Sequence, residues 1–134
     1  MDKKEKTAYL KALIYIATAD NNVNEEERNQ FTQLGKLYGL TDDEVDSIAD
    51  SVIKKSESIE DILTSITERS TKLLLLYDLL AICYVDNNYS IAEKNTMRTI
   101  VNMLNIEAEK LEAMERVMNE SVALQKRINE VLEK

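Results

Sequence analysis

Shifted by 66 residues, the chain falls on itself without a gap. Asp20, Asn21 and Asn22 land on Asp86, Asn87 and Asn88, and Glu27 lands on Glu93. The register continues with Leu34 on Ile100, Leu40 on Ile106, Val45 on Leu111 and Ile48 on Met114. One offset held over that span points to a helical hairpin used twice in a single domain, with pseudo-repeats of about 4–69 and 70–134. An Asp-Asn-Asn…Glu turn is therefore built twice as well.

The hairpin elements are helices. The 134 residues include no proline and two glycines, a composition that fits an all-α fold. In the first helix, from about Lys4 to Ala19, Leu10, Leu13, Ile14 and Ala17 follow the i, i+3, i+4, i+7 pattern, widened by Ile16. The second helix directs Phe31, Leu34, Leu37 and Tyr38 inward and stops at Gly39, which suits the left-handed position after a helix. Thr41 and Glu44 form a Thr-x-x-Glu capping box that opens a third helix with the stripe Val45, Ile48, Ala49, Val52, Ile53. Ser58 caps a short fourth helix that buries Ile59, Ile62, Leu63 and Ile66.

The fifth helix, starting near Ser70, is apolar nearly all round and is expected to be the central, most buried one. The sixth, Ile91–Leu104, turns Met97, Ile100, Val101 and Leu104 inward, and Asn105 replaces Gly39 at the left-handed position. Residues 107–134 read either as one long helix or as two with a break near Asn119–Ser121. The repeat favours two. Met114, Val117, Ser121, Leu124, Ile128 and Val131 recur at 3-4 spacing, which fits a dimer seam or core packing equally.

Each acidic turn has two physical readings. As a turn, Asn24 caps the next helix and Glu27 reaches back to its amide, and Ser90 with Glu93 does the same in Ser-x-x-Glu form. As a cation site, Asp20, Asn22 and Asn24 have the D-x-N-x-N spacing that opens a calcium loop, as do Asp86, Asn88 and Ser90. Glu27 and Glu93 would close a Ca²⁺ or Mg²⁺ shell of hard oxygens. An ordinary EF-hand is excluded. Its sixth position should be glycine but is Glu25 or Ile91, and its twelfth should be glutamate but is Phe31 or Met97.

The segment from Ala19 to Arg28, set between Leu13–Ala17 and Phe31-x-x-Leu34, resembles the TerB-like tellurite-resistance family. The family hallmark is an Asp-Gly-x-(Val/Ile)-x-x-x-Glu turn between two helices. Asp20, Val23 and Glu27 match it, as do Asp86 and Glu93. Asn21 and Asn87 replace the glycine, and Tyr89 replaces the aliphatic residue. The resemblance implies a compact bundle of about seven helices in which the acidic turns approach one another. It also implies a role in stress or metal and oxyanion resistance, or as an interaction module. A related domain occurs in membrane-anchored J-protein cochaperones.

Charge narrows the partners. The net charge is −8, and residues 20–50 hold nine acidic residues against Arg28 and Lys36. Such a surface repels nucleic-acid phosphates and anionic membrane and attracts a cation or a basic protein. Glu25, Glu26, Asp42, Asp43 and Glu44 are its partner-binding candidates. Leu73–Val85, the most apolar stretch, is interrupted by Asp78 and is shorter than the ~20 residues of a bilayer span, so no membrane insertion is expected. The lone Cys83 fits a reducing, cytoplasmic setting. With no histidine, no glycine-rich phosphate loop and no Ser or Cys beside a base, no enzyme activity is expected. The readings that stand are an interaction module, a divalent-cation sensor, and an acidic immunity or inhibitor protein.

Overall fold

A computed structural model describes residues 2–18, 25–54, 57–84 and 89–133, the side chain of Glu27 excepted. Within them lie seven helices and no strand: α1 (Lys3–Ala17), α2 (Glu25–Leu37), α3 (Asp42–Ile53), α4 (Ile59–Leu63), α5 (Arg69–Cys83), α6 (Ile91–Met103) and α7 (Ala108–Leu132). This is the all-α bundle that composition and periodicity called for.

The central helix is α1, and this corrects the expectation for α5. Asp2 Oδ1 accepts from the Glu5 amide at 2.8 Å to start α1. The Thr18 amide donates to Ile14 O at 3.0 Å and closes it two residues before Ala19. Between these caps Ala8, Tyr9, Leu10, Ala12, Leu13, Ile14, Ile16 and Ala17 are all buried. They can be, because α2, α3, α4, α5 and α6 all pack on α1. In α5 only the side bearing Leu75, Leu76, Leu79, Leu80 and Cys83 is buried, whereas Leu74 stays 49% exposed and Tyr77 is open as well. Leucine-rich sequence on every side does not centre a helix when neighbours cover only part of it.

The ends of α2 and α6 share a left-handed residue and several backbone bonds at the 66-residue offset. Gly39 has φ +80° and Asn105 has φ +57°, the left-handed conformation expected of both. The Leu40 amide donates to Gly35 O at 2.8 Å, and the Ile106 amide to Val101 O at 3.1 Å. The Gly39 and Asn105 amides donate to Lys36 O and Asn102 O at 3.0 and 3.1 Å. This pairing of orphan carbonyls ends both helices in the same way. Gly35 has a different task, because a Cβ there would sit 2.4 Å from Val45 Cγ2. Its bare backbone lets α3 approach α2.

After the hairpins the halves part. Two helices were favoured over residues 107–134, but α7 is one helix of 25 residues, Ala108–Leu132, and nothing interrupts it near Asn119–Ser121. Three side-chain expectations are also corrected. Leu37 is 79% exposed, since it lies about 100° round α2 from Tyr38 and past the edge of the buried face. Ile53, in the last turn of α3, is exposed, and so is the α7 stripe from Val117 onward. Core packing therefore does not account for that stripe.

Candidate functional site

Of the cation-site candidates, Asp20, Asn22, Asn24, Asp86 and Asn88 lie outside the described residues, and so does the side chain of Glu27. Ser90 and Glu93 are described and act as helix caps. The Ser90 amide donates to Glu93 Oε1 at 2.9 Å, and the Glu93 amide donates to Ser90 Oγ at 3.1 Å. One carboxylate oxygen of Glu93 is thus engaged by the start of α6, as the capping reading requires. Among the described residues no cluster of three metal-ligating side chains occurs.

The partner-binding candidates divide into two groups. Glu25 and Glu26 are exposed at the start of α2; Asp42 and Asp43 are exposed at the start of α3. The thirteen residues of α2, about 20 Å of helix, lie between the two starts. Asp46 and Asp50 carry negative charge back along the exposed side of α3. Glu44 is committed locally. Its Oε1 accepts from the Thr41 amide at 3.0 Å, and its Oε2 meets Lys3 Nζ at 3.0 Å. The Thr41 amide, and after it Lys3, hold the Glu44 carboxyl below its usual range.

Two concave features stand out among the described residues, neither lined by these acids. The first is a groove of about 260 Å³ between α2 and α5, lined by Gln30, Gln33, Leu34, Leu37, Asp78, Ala81 and Ile82. Its walls are apolar, and Asp78 is half-buried among them. The Tyr9 hydroxyl, at the core of α1, donates to Asp78 Oδ2. The Tyr9 ring meets Tyr38 edge-on with centroids 5.5 Å apart. Burial raises the Asp78 carboxyl above its usual range, and the bond from Tyr9 offsets part of that rise. Burial, then Asp78, raises the Tyr9 phenol, so the pair keeps the proton on tyrosine. Gln30 Oε1, on the same groove, is buried without a hydrogen-bond partner. Glu26, Gln30, Gln33 and Leu37 follow 4-3-4 spacing on α2, so one end of the groove runs out toward acid.

The second feature is a cleft of about 370 Å³ at the corner between α5 and α6, lined by Tyr84, Tyr89, Lys94, Arg98, Glu115, Asn119 and Val122. The rings of Tyr84 and Tyr89 lie 5.0 Å apart, tilted by 31°, and Lys94 Nζ stands 5.4 Å over Tyr89. Burial raises the Tyr89 phenol and the nearby Glu115 adds to the shift. The Tyr89 hydroxyl is nonetheless buried with no partner in hydrogen-bond geometry. Tyr89 fills the place of the aliphatic residue in the turn hallmark, so it was visible in the sequence as a departure. The groove was signalled more faintly, by a leucine closing an otherwise polar stripe on α2.

The tellurite resistance protein TerB family model matches residues 6–116, from within α1 into α7. The chain belongs to the TerB family. A TerB-type helical bundle is also what the structure resembles. The tellurite resistance protein of Nostoc punctiforme superposes with a TM-score of 0.70 at 19% identity, covering 100% of this chain and 84% of that one. At that identity the likeness concerns the fold. No curated protein matches the sequence. Among the described residues of this TerB chain, no helix is long and apolar enough to cross a membrane.

Proposed function

We propose that this TerB chain is a non-enzymatic, cytoplasmic interaction module that seats a basic, amphipathic segment of a partner protein. The groove between α2 and α5 is the observation that carries this reading. Leu34, Leu37, Ala81 and Ile82 offer apolar contact, and Asp78 supplies a half-buried negative charge among them. Leu37, 79% exposed, is continuous with these apolar walls, and contiguous exposed apolar surface of this kind marks an interaction site. A helix with apolar residues at i and i+4 and a Lys or Arg between them matches such a groove. Glu25 and Glu26 at its end, and Asp42 and Asp43 farther off, would speed the approach of a basic partner and make binding salt-sensitive.

Capture of partners by the intact chain at low and high salt tests the proposal. A basic protein should be retained at low salt, and it should be lost with Leu37→Glu or with Glu25 and Glu26 reversed to lysine. An identical captured set from all variants would overturn the reading. The cation-sensor alternative is separated by thermal melts in EDTA and in millimolar Ca²⁺ or Mg²⁺. A site with Kd below one hundredth of the cation concentration adds about 2.7 kcal/mol or more.

A further inference from the structure

Beyond Val122, α7 leaves the bundle. No residue from Asn119 to Glu133 is buried. Its apolar residues nevertheless keep a seam: Val117, Leu124 at 52% exposure, Ile128, and Val131 at 76% continue the 3-4 spacing through Ser121. The seam lies about 110° round the helix from buried Leu111 and Met118, which hold α7 to its own bundle. It is thus open while the inner face is occupied.

We propose that a second copy of this chain covers the seam, with the two α7 helices antiparallel. One register satisfies every layer. When Ser121 lies opposite Leu124 of the second copy, Val117 falls opposite Ile128 and Met114 opposite Val131, since each pair of numbers has the same sum. In that register Glu120 flanks Arg127 of the second copy, and Arg127 flanks its Glu120, giving two opposite-charge pairs by symmetry. A parallel register instead puts Ser121 on Ser121, Glu120 beside Gln125, and Arg127 beside Leu132. Neither charge is then answered.

The charge of the rest of the chain favours the same surface. From Val117 to Lys134, three acidic residues balance three basic ones, whereas the whole chain carries −8. Two copies repel across residues 20–50 but not here. The seam from Met114 to Val131 is about 27 Å long. A helix pair of that length buries less than a standard interface, so the dimer forms reversibly as concentration rises.

Sedimentation equilibrium of the full chain over a concentration series tests this. The mass should climb from 15.4 kDa toward twice that value. Leu124→Lys should hold it at the monomer, with an unchanged melting temperature at concentrations where the wild type is also monomeric, because this side chain is exposed and packs outside the core. Glu120→Arg and Arg127→Glu should each weaken dimerisation about tenfold or more, and the double variant should restore it. A constant monomer mass, a dimer indifferent to Leu124→Lys, or a double swap without rescue would each overturn the proposal. Leu37→Glu should leave the dimer intact, so loss of partner capture and loss of dimerisation are read separately.

Discussion

The two segments that follow the two hairpins start alike and end differently. Leu40 and Ile106 are both buried after a left-handed residue, and Val45 and Leu111 are both buried in the next helix. The first segment then stops at Ile53 and folds back as α4, while the second runs straight to Leu132. Three residues explain the difference. Ser58, whose Oγ accepts from the Asp61 amide at 3.2 Å, corresponds to Leu124. Buried Ile59 corresponds to Gln125, and buried Leu63 to Asn129. Without a cap to begin a new helix, or an apolar face to draw it onto α1, the chain has no reason to break. A shared pattern sets where two segments begin, and the local cap and the buried face set where each of them ends.

The largest expected effect tests that contrast directly. Ile62→Ala, in α4, should cost about 2–5 kcal/mol in urea unfolding. Its counterpart Ile128→Ala should stay within about 0.5 kcal/mol at concentrations where the protein is monomeric. Equal losses would show that the α7 overhang is packed after all. Next comes the close approach in the first hairpin. Gly35→Ala should destabilise by about 1–3 kcal/mol through the clash with Val45, despite alanine's better helix propensity. The corresponding residue of the second hairpin is already a buried valine, Val101.

The polar pair between the hairpins sharpens the comparison further. Tyr9 and Asp78 correspond to Leu75 and Ala12, both buried, so neither half repeats the other's contribution. Tyr9→Phe leaves the half-buried carboxylate without its donor and should cost about 1–3 kcal/mol near neutral pH. The pH dependence has a definite sign. Burial lifts the folded-state pKa of Asp78 above its ordinary value of 3.8. Between those two values the native state holds the extra proton, so stability falls as pH rises through that window. Asp78→Asn should flatten this part of the profile; a wild-type curve that instead rises relative to the variant would contradict it. The smallest effect is at the caps. Thr41→Ala and Ser90→Ala should each cost about 1 kcal/mol in thermal melts.

Much of this architecture was legible in the sequence because it rests on local chemistry. The Thr41–Glu44 and Ser90–Glu93 boxes, the Ser58 cap and the left-handed Gly39 and Asn105 depend on residues within one turn of each other. An unpaired buried carboxylate is costly, so Asp78 had to face the edge or find a Lys, Arg or Tyr, and only the fold shows that Tyr9 supplies the donor. What the sequence misled on is tertiary. Nothing in the runs of leucine says that α1 will be covered by five neighbours and α5 only in part. The preference for two helices after residue 107 came from trusting the repeat over the missing cap at Leu124. At the candidate site, the acids of α2 and α3 read as one patch along the chain, yet a helix length divides their starts. The groove beside Asp78 needs α2 and α5 side by side, and no local pattern reports that.

The position of α1 has a consequence for synthesis. Tyr9 and Asp78 are 69 positions apart, so α1 emerges from the ribosome well before the helix that completes its burial. A nascent or truncated chain that stops short of Arg69 would carry the flank of α1 that faces α5 uncovered, and would be prone to aggregate or to require a chaperone. Removing the second half would therefore yield a sticky intermediate rather than a smaller stable domain.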